Sequence, residues 1–292
     1  MSSSSRSGSD VADLQITELD AVRGLVAAGA LFVLNDSGGK DSQAQRILVS
    51  RVVPVEQLLV MHAALGRVEW PGALEHARDG AARSGLPFLV AKARKSFREL
   101  VEHRHEKYPH APAFPTSGNR QCTSDLKRDP LVREARGYAV RHGRMTIVTC
   151  MGMRAAESPR RRAMPTLRKS TRYSTAGRSW WDWLPIHHLT TPEVFATIRE
   201  AGETPHPAYA AGNERLSCVF CILGSRNDAR NGAIHNPELF EEFVELERAT
   251  GSTVHQSREP LEVFAGITVA EARAENRRLP VVQGAAPEAV VR

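Results

Sequence analysis

The chain has 292 residues, 41% of them apolar and 25% charged, with a formal net charge of +6. That length and balance suit a large folded domain with an appendage, and no apolar run approaches the roughly 20 residues that cross a bilayer. The serine-rich start, Met1 to Asp10, has no apolar signal core, so export is not expected. Four cysteines in a chain of this length, without an export signal, point to a cytoplasmic protein with thiol or metal chemistry. The basic excess points to an anionic partner: ATP accounts for local cations and nucleic acid for the remainder.

Residues 1–15 read as a disordered tail. Thr17 to Ala28 has helical spacing, with Thr17 as N-cap and Leu19, Val22, Leu25 and Val26 on one face. A short apolar strand over 31–35 is followed by a glycine turn and a helix over 40–50. Residues 57–61 read as a second strand, 71–84 as a helix, 87–90 as a third strand and 95–107 as a helix. The Pro/Ala/Gly-rich stretch 109–119 reads as a loop, 130–141 as a helix and 145–149 as a fourth strand. This βα alternation predicts an α/β fold, a Rossmann-like parallel sheet with helices on both faces and a small C-terminal helical extension. The expected division is a nucleotide-binding domain over 16–235 and a helical extension over 236–292, with a helix at 236–250 and a loose tail from 278.

Ligands of such sheets sit at the carboxyl ends of the strands. Ser37-Gly38-Gly39-Lys40-Asp41-Ser42 lies there, after the first strand and at the start of a helix. Two glycines let the backbone approach a phosphate, and the helix start adds unpaired N–H groups and the positive end of its dipole. The hydroxyls of Ser37 and Ser42 and the charge of Lys40 complete an anion cradle. The spacing is not that of the GxxxxGK[ST] loop. The alternative is a plain glycine turn, against which the strand–turn–helix context argues.

Further motifs follow in order: Arg120-Gln-Cys122-Thr-Ser-Asp-Leu-Lys127, then Gly152-Met-Arg154-Ala-Ala-Glu157-Ser158-Pro-Arg160, and Cys218-Val-Phe-Cys221. SGGKDS resembles the PP-loop of ATP pyrophosphatases. The ordered set resembles the phosphoadenosine phosphosulfate (PAPS) reductase-like superfamily over about residues 30–225. Residues 222–292 contain no cysteine, whereas sulfonucleotide reductases carry a nucleophilic cysteine near the C-terminus. Within the superfamily the chain therefore looks most like the ATP pyrophosphatase subunit of DNA phosphorothioation systems of the Ssp or Dnd type.

That resemblance implies cleavage of ATP to AMP and pyrophosphate, with adenylylation of a DNA backbone phosphate for sulfur insertion and a link to antiphage defence. It implies ATP and Mg²⁺ as cofactors. The implied partners are DNA, a cysteine desulfurase and other DNA-modification subunits, with no membrane. Lys40, Asp41, Arg154 and Arg160 are the candidate catalytic residues. Ser37, Gly38, Gly39, Ser42, Gly152, Glu157 and Ser158, with Lys40, Asp41 and Arg154, are the candidates for holding the nucleotide. For each arginine the alternative is a solvated surface charge. Cys122, Cys150, Cys218 and Cys221 match in number the ligands of a [4Fe–4S] cluster. Zinc, a persulfide relay, a redox pair and inert buried thiols are the alternatives.

The cations Arg160, Arg161, Arg162, Arg168, Lys169 and Arg172 precede Trp180, Trp181 and Trp183, a mix that can follow a phosphate backbone and stack bases. The alternative is a basic loop beside tryptophans that anchor a strand, with Trp183 in the core. A sulfonucleotide reductase, a tRNA thiolase and a nucleotide-sensing scaffold are the competing functional readings.

Overall fold

Apolar runs of strand length alternate with helical segments, and the chain folds as that alternation demands. The computed structural model describes residues 8–279; of the tails expected at 1–15 and from 278, residues 1–7 and 280–292 lie outside the described residues, and 8–15 are helical rather than disordered. Helix α1 (Gly8–Ala27) leads into β1 (Leu31–Asn35), α2 (Lys40–Val49), β2 (Leu58–Ala64), α3 (Ala73–Arg83), β3 (Phe88–Lys92) and α4 (Phe97–Lys107). After a loop come α5 (Gln121–Thr123), a π-turn over Ser124–Arg128, and α6 (Asp129–Arg141). Then follow β4 (Thr146–Cys150), α7 (Pro159–Arg162), β5 (Leu167–Lys169), β6 (Ser179–Trp183) and α8 (Thr191–Glu200). Helices α9 (Arg226–His235), α10 (Pro237–Thr250), α11 (Leu261–Ala265) and α12 (Val269–Asn276) complete the described chain.

The first helix begins well before the predicted start, so Thr17 lies inside it rather than at its cap. Val11, Ala12, Leu14 and Gln15 extend the helix-compatible pattern upstream. No described helix is long and apolar enough to cross a membrane.

The described strands form one six-stranded sheet in the order β3-β2-β1-β4-β6-β5. β1 pairs in parallel with both β2 and β4, β2 with β3, and β4 with β6; only β5 runs antiparallel, along an edge. The alternation in β1 explains its position. Phe32 and Leu34 pack on one face with Val22 of α1 and Ala81 of α3, while Leu31 and Val33 pack on the other with Ala135 and Ala139 of α6. Both faces are covered, so the strand reads as a continuous apolar run. Each such side chain contributes about 1.5–3 kcal/mol on burial.

A third core gathers Trp70, Phe97, Phe114, Phe220, Phe240 and Phe243 from well-separated parts of the chain. In it, α9 packs against α10, α11 and α12, so the chain on either side of residue 235 shares one interior.

The connection from β1 goes outward to β2 and β3, and the chain then returns to the other side of β1 with β4. The strand order thus reverses at β1. The crevice beyond its carboxyl end is where open α/β sheets bind ligands, and residues 36–42 occupy it.

Candidate active site

Asp36 sets the shape of the loop. Its Oδ1 accepts hydrogen bonds from the Gly38 N–H and the Ser42 hydroxyl, both at 2.8 Å. The Ser37 N–H donates to Ser42 Oγ at 3.2 Å, closing the turn on itself. Gly38 has φ +75°, and a Cβ there would meet the Ala73 carbonyl oxygen at 2.4 Å. Glycine is required twice over at this position, by the left-handed backbone and by the close approach of α3. Gly39 caps α2 with no side-chain hydrogen bond, leaving first-turn N–H groups of the helix facing the crevice for an anion. The Lys40 N–H donates to the Tyr209 hydroxyl at 2.9 Å. Sequence reasoning missed Asp36, whose sole signal is its place directly before the loop.

Around this cradle the structure brings together Lys40, Asp41 and Arg154. Lys40 Nζ lies 3.1 Å from Asp41 Oδ2 and donates to the Glu214 carbonyl at 3.3 Å. Arg154 Nε donates to Asp41 Oδ1 at 2.7 Å. The Lys40 and Arg154 side chains are only 3% and 5% exposed, against 24% for Asp41. One carboxylate therefore bridges two nearly buried cations beside a helix N-terminus. Asp41 fits the role of counter-charge better than that of Mg²⁺ ligand, because both its oxygens are engaged.

Gly152 carries Arg154 close to α2, since a Cβ on Gly152 would lie 3.0 Å from the Asp41 carbonyl carbon. The Glu157 carboxylate accepts from the Arg154 N–H at 2.9 Å and pairs with Arg161. Burial works against that charge, but these partners outweigh it and hold Glu157 below its usual pKa. Ser158 Oγ caps α7 by accepting from the Arg161 N–H. Glu157 and Ser158 thus shape the turn that presents Arg154. Arg160 is exposed on α7 and joins none of the ion pairs that hold Arg154 and Asp41.

The four cysteines do not converge. Cys150 is fully buried on β4 among Phe32, Leu34 and Trp183, and burial alone pushes its thiol well up. The expectation that it joins the other three is corrected: strand alternation turns it into the sheet's interior. Cys122, Cys218 and Cys221 lie near enough to the Lys127 ammonium for their charges to act on one another, and Cys218 pairs through its backbone with Glu69. Burial pushes Cys218 up to about 11, and Lys127 opposes that rise. The thiol charges in turn raise Lys127, with Cys218 the largest cause. Among the described residues, no group of three or more His, Cys, Asp or Glu side chains is placed to hold a metal ion. With Cys150 withdrawn, the residues do not fit a four-cysteine [4Fe–4S] site. Lys127 sits in the π-turn, a feature that often marks functional segments.

A buried histidine joins the two centres. His62, on β2, has Nδ1 2.8 Å from the Asp36 carbonyl and Nε2 2.8 Å from Glu69 Oε1. The Glu69 contact is an ion-pair distance whose angle falls outside hydrogen-bond geometry. Burial disfavours the charged ring, but Glu69 and Asp36 outweigh it and hold His62 above its usual pKa. Glu69 pairs through its backbone with Cys218, and the Val219 N–H donates to the Val68 carbonyl at 2.9 Å. His206 behaves oppositely: burial and the neighbouring His76 lower it to about 4.

The basic stretch loses its stacking platform. Trp180 and Trp183 are 1% and 3% exposed and donate from Nε1 to Thr149 Oγ1 and Glu18 Oε1, both at 2.8 Å. They anchor β6 as core residues on opposite faces of the sheet, Trp180 with Ala135 and Trp183 with Phe32, because both faces of this inner strand are covered. Arg168 is paired with Asp182, and the ring of the buried His187 contacts the Arg161 carbonyl.

Sheet order, switch point and phosphate cradle together define a nucleotide-binding α/β domain. Residues 32–223 match the phosphoadenosine phosphosulfate reductase domain, and the chain belongs to that family. It is 26% identical over 287 residues to the uncharacterized 37.8 kDa protein in the gpa 5′ region of Escherichia phage 186, covering 86% of this chain and 84% of that protein. Among solved structures, PAPS reductase from Candida auris in a phosphate complex aligns at 16% identity and TM-score 0.46, covering 74% of this chain and 98% of that one. The NH3-dependent NAD synthetase of Campylobacter jejuni aligns at 13% identity and TM-score 0.39, covering 95% and 97%.

Proposed function

We propose that this protein is an ATP pyrophosphatase that adenylylates a DNA backbone phosphate and so activates it for sulfur insertion. The observation that carries the reading is the pair of nearly buried cations, Lys40 and Arg154, held on Asp41 beside the glycine loop. A nonbridging phosphate oxygen of the acceptor attacks the α-phosphorus of ATP, and pyrophosphate leaves with the electrons of the broken P–O bond. Charge accumulates on the departing pyrophosphate, where Lys40, Arg154 and the start of α2 stand ready without reorganisation. Mg²⁺ enters with the nucleotide phosphates, as this ion usually does.

The thiol cluster suits the second half of the reaction. A persulfide sulfur attacks the activated phosphorus, and AMP leaves with its bonding pair. A neighbouring thiol then attacks the S–S bond, leaving sulfur on phosphorus and a disulfide behind. Cys218 and Cys221, with Cys122 close by, are the residues for this step, and a cysteine desulfurase would supply the persulfide. DNA and the other modification subunits are the remaining partners of this reading, in a cytoplasmic setting.

The test is the product of ATP turnover by anaerobically purified protein given Mg²⁺ and ATP labelled at the α-phosphate. AMP with an equal amount of pyrophosphate is expected. PAPS binding with sulfite release on addition of thioredoxin, and no AMP from ATP, would instead assign the protein to sulfonucleotide reduction.

A further inference from the structure

A cavity between α4, the π-turn and the loop after β3 plays no part in the site above. It holds about 510 Å³, within the roughly 300–1,000 Å³ typical of small-ligand sites. Its wall has two kinds of surface. Leu100, Leu126 and Pro130 make an apolar floor, while Arg94, Lys95 and Arg133 make a cationic rim. Arg94 and Lys95 follow the carboxyl end of β3, so the rim opens at the same end of the sheet as the phosphate loop.

Two carboxylates also line the cavity, but both are engaged. Asp129 pairs with Arg128 at 2.9 Å, and Asp125 accepts from Ser124 Oγ at 2.6 Å and Gln121 Nε2 at 3.2 Å. Arg133 pairs with Glu134 at 3.0 Å and also donates to the Lys92 carbonyl at 2.9 Å. Among the described residues Arg94 and Lys95 join no ion pair, so two free cations at the rim stand against the single uncompensated charge of Asp125. Gln121 lines the same cavity, and its Oε1 is buried without a hydrogen-bond partner. A buried acceptor left unpaired is costly unless a ligand donor completes it. The residue after Gln121 is Cys122, so one turn of chain serves both the cavity and the thiol cluster.

We propose that this cavity binds a phosphorylated nucleoside unit distinct from the ATP in the phosphate loop. The flat base lies on the apolar floor, Gln121 Oε1 accepts from a base N–H, and Arg94, Lys95 and Arg133 take the phosphate. A polynucleotide strand and a free mononucleotide share this chemistry. The proposal deepens the reading above and rests on it for calling the bound unit the sulfur acceptor.

The experiment is fluorescence polarisation of an end-labelled short single strand on the full chain. Mg²⁺ and α,β-methylene ATP saturate the phosphate loop throughout, and calorimetry follows the binding of that analogue separately. Arg94→Glu with Arg133→Glu should weaken strand binding by about tenfold or more, while the analogue binds as before. A control pair at exposed positions, Arg51→Glu with Arg141→Glu, carries the same charge change and should leave strand binding within about twofold. Gln121→Ala, a milder change, should weaken binding by several-fold and keeps the test open if the double variant unfolds.

Displacement of the strand by free deoxynucleoside monophosphates would identify the source as mononucleotide, and resistance to them would identify the polymer. Equal weakening by the control pair, no effect of the rim and Gln121 variants, or no binding of strand or monophosphate to the wild type would each overturn the proposal. None of these readouts depends on ATP turnover, so failure of the pyrophosphatase reading remains distinguishable.

Discussion

The phosphate loop and the thiol cluster lie at the carboxyl ends of neighbouring strands, yet they are assembled in opposite ways. The loop is contiguous: Asp36, Gly38 and Ser42 define their own turn through hydrogen bonds spanning at most six positions in sequence. The cluster combines a π-turn near Cys122 and Lys127 with a late loop carrying Cys218 and Cys221, and the late loop pairs along residues 68 and 69. A local site tolerates distant change but not a lost glycine. A site built from distant parts depends on everything that keeps those parts together.

The largest expected effect breaks the contiguous site. Gly38→Ala forces a left-handed backbone, costing about 1–2 kcal/mol, and overpacks the contact with Ala73 by a further ~1–3 kcal/mol. Calorimetry should find nucleotide binding abolished, and thermal melting a clear loss of stability.

Next, Arg154→Ala should lower the rate of AMP formation about 10²–10³-fold, roughly the 2.7–4 kcal/mol of a lost oxyanion donor. Single-turnover assays should place that loss in the chemical step, and Arg154→Lys should not restore it, because the bond to Asp41 uses guanidinium geometry.

The cysteines sharpen the comparison. Cys150→Ser should destabilise the fold by about 1–3 kcal/mol, since it buries a hydroxyl among apolar side chains, while AMP formation per folded molecule is unchanged. Cys218→Ser should leave both stability and AMP formation nearly intact and stop sulfur transfer. Iodoacetamide should label Cys218 slowly at neutral pH and faster as pH rises toward about 11. Lys127→Ala should slow that labelling further, because it removes the cation that favours the thiolate.

The smallest effects are on pH dependence, and the two buried histidines give opposite signs. His62 has a folded pKa above its unfolded value near 6.5, so its stabilisation is full below about pH 6.5 and is lost as pH rises through the folded value. His206 is lowered to about 4, so its contribution is present above about pH 6.5 and is lost as pH falls toward 4. Melting curves across pH should show His62→Gln removing the alkaline decline and His206→Gln the acid one. Retention of both slopes in both variants would show that other groups set the pH profile.

Much of the fold was legible in advance because its signals are local. The β1–loop–α2 unit was readable from an apolar run, two glycines and a helix start, and the loop's position followed from the parallel sheet. Arg154 was readable because it follows a strand end within a motif. The edge strand β5 was not, since Leu167-Arg168-Lys169 carries no apolar alternation. Nor was the engagement of Glu157 and Ser158 by the backbone groups of a tight turn legible in advance.

By itself the sequence determined the first four strands and the helices between them, the parallel sheet and the anion cradle, because propensity, apolar period and glycine geometry act over a few residues. Only the tertiary structure decided which residues meet across long separations. It placed Cys150 in the core and brought the other three cysteines within electrostatic reach of Lys127. It buried Trp180 and Trp183 instead of offering them to a base, and it set His62 between Asp36 and Glu69. Side-chain identity is written locally, but burial and partnership depend on which faces the packed sheet closes.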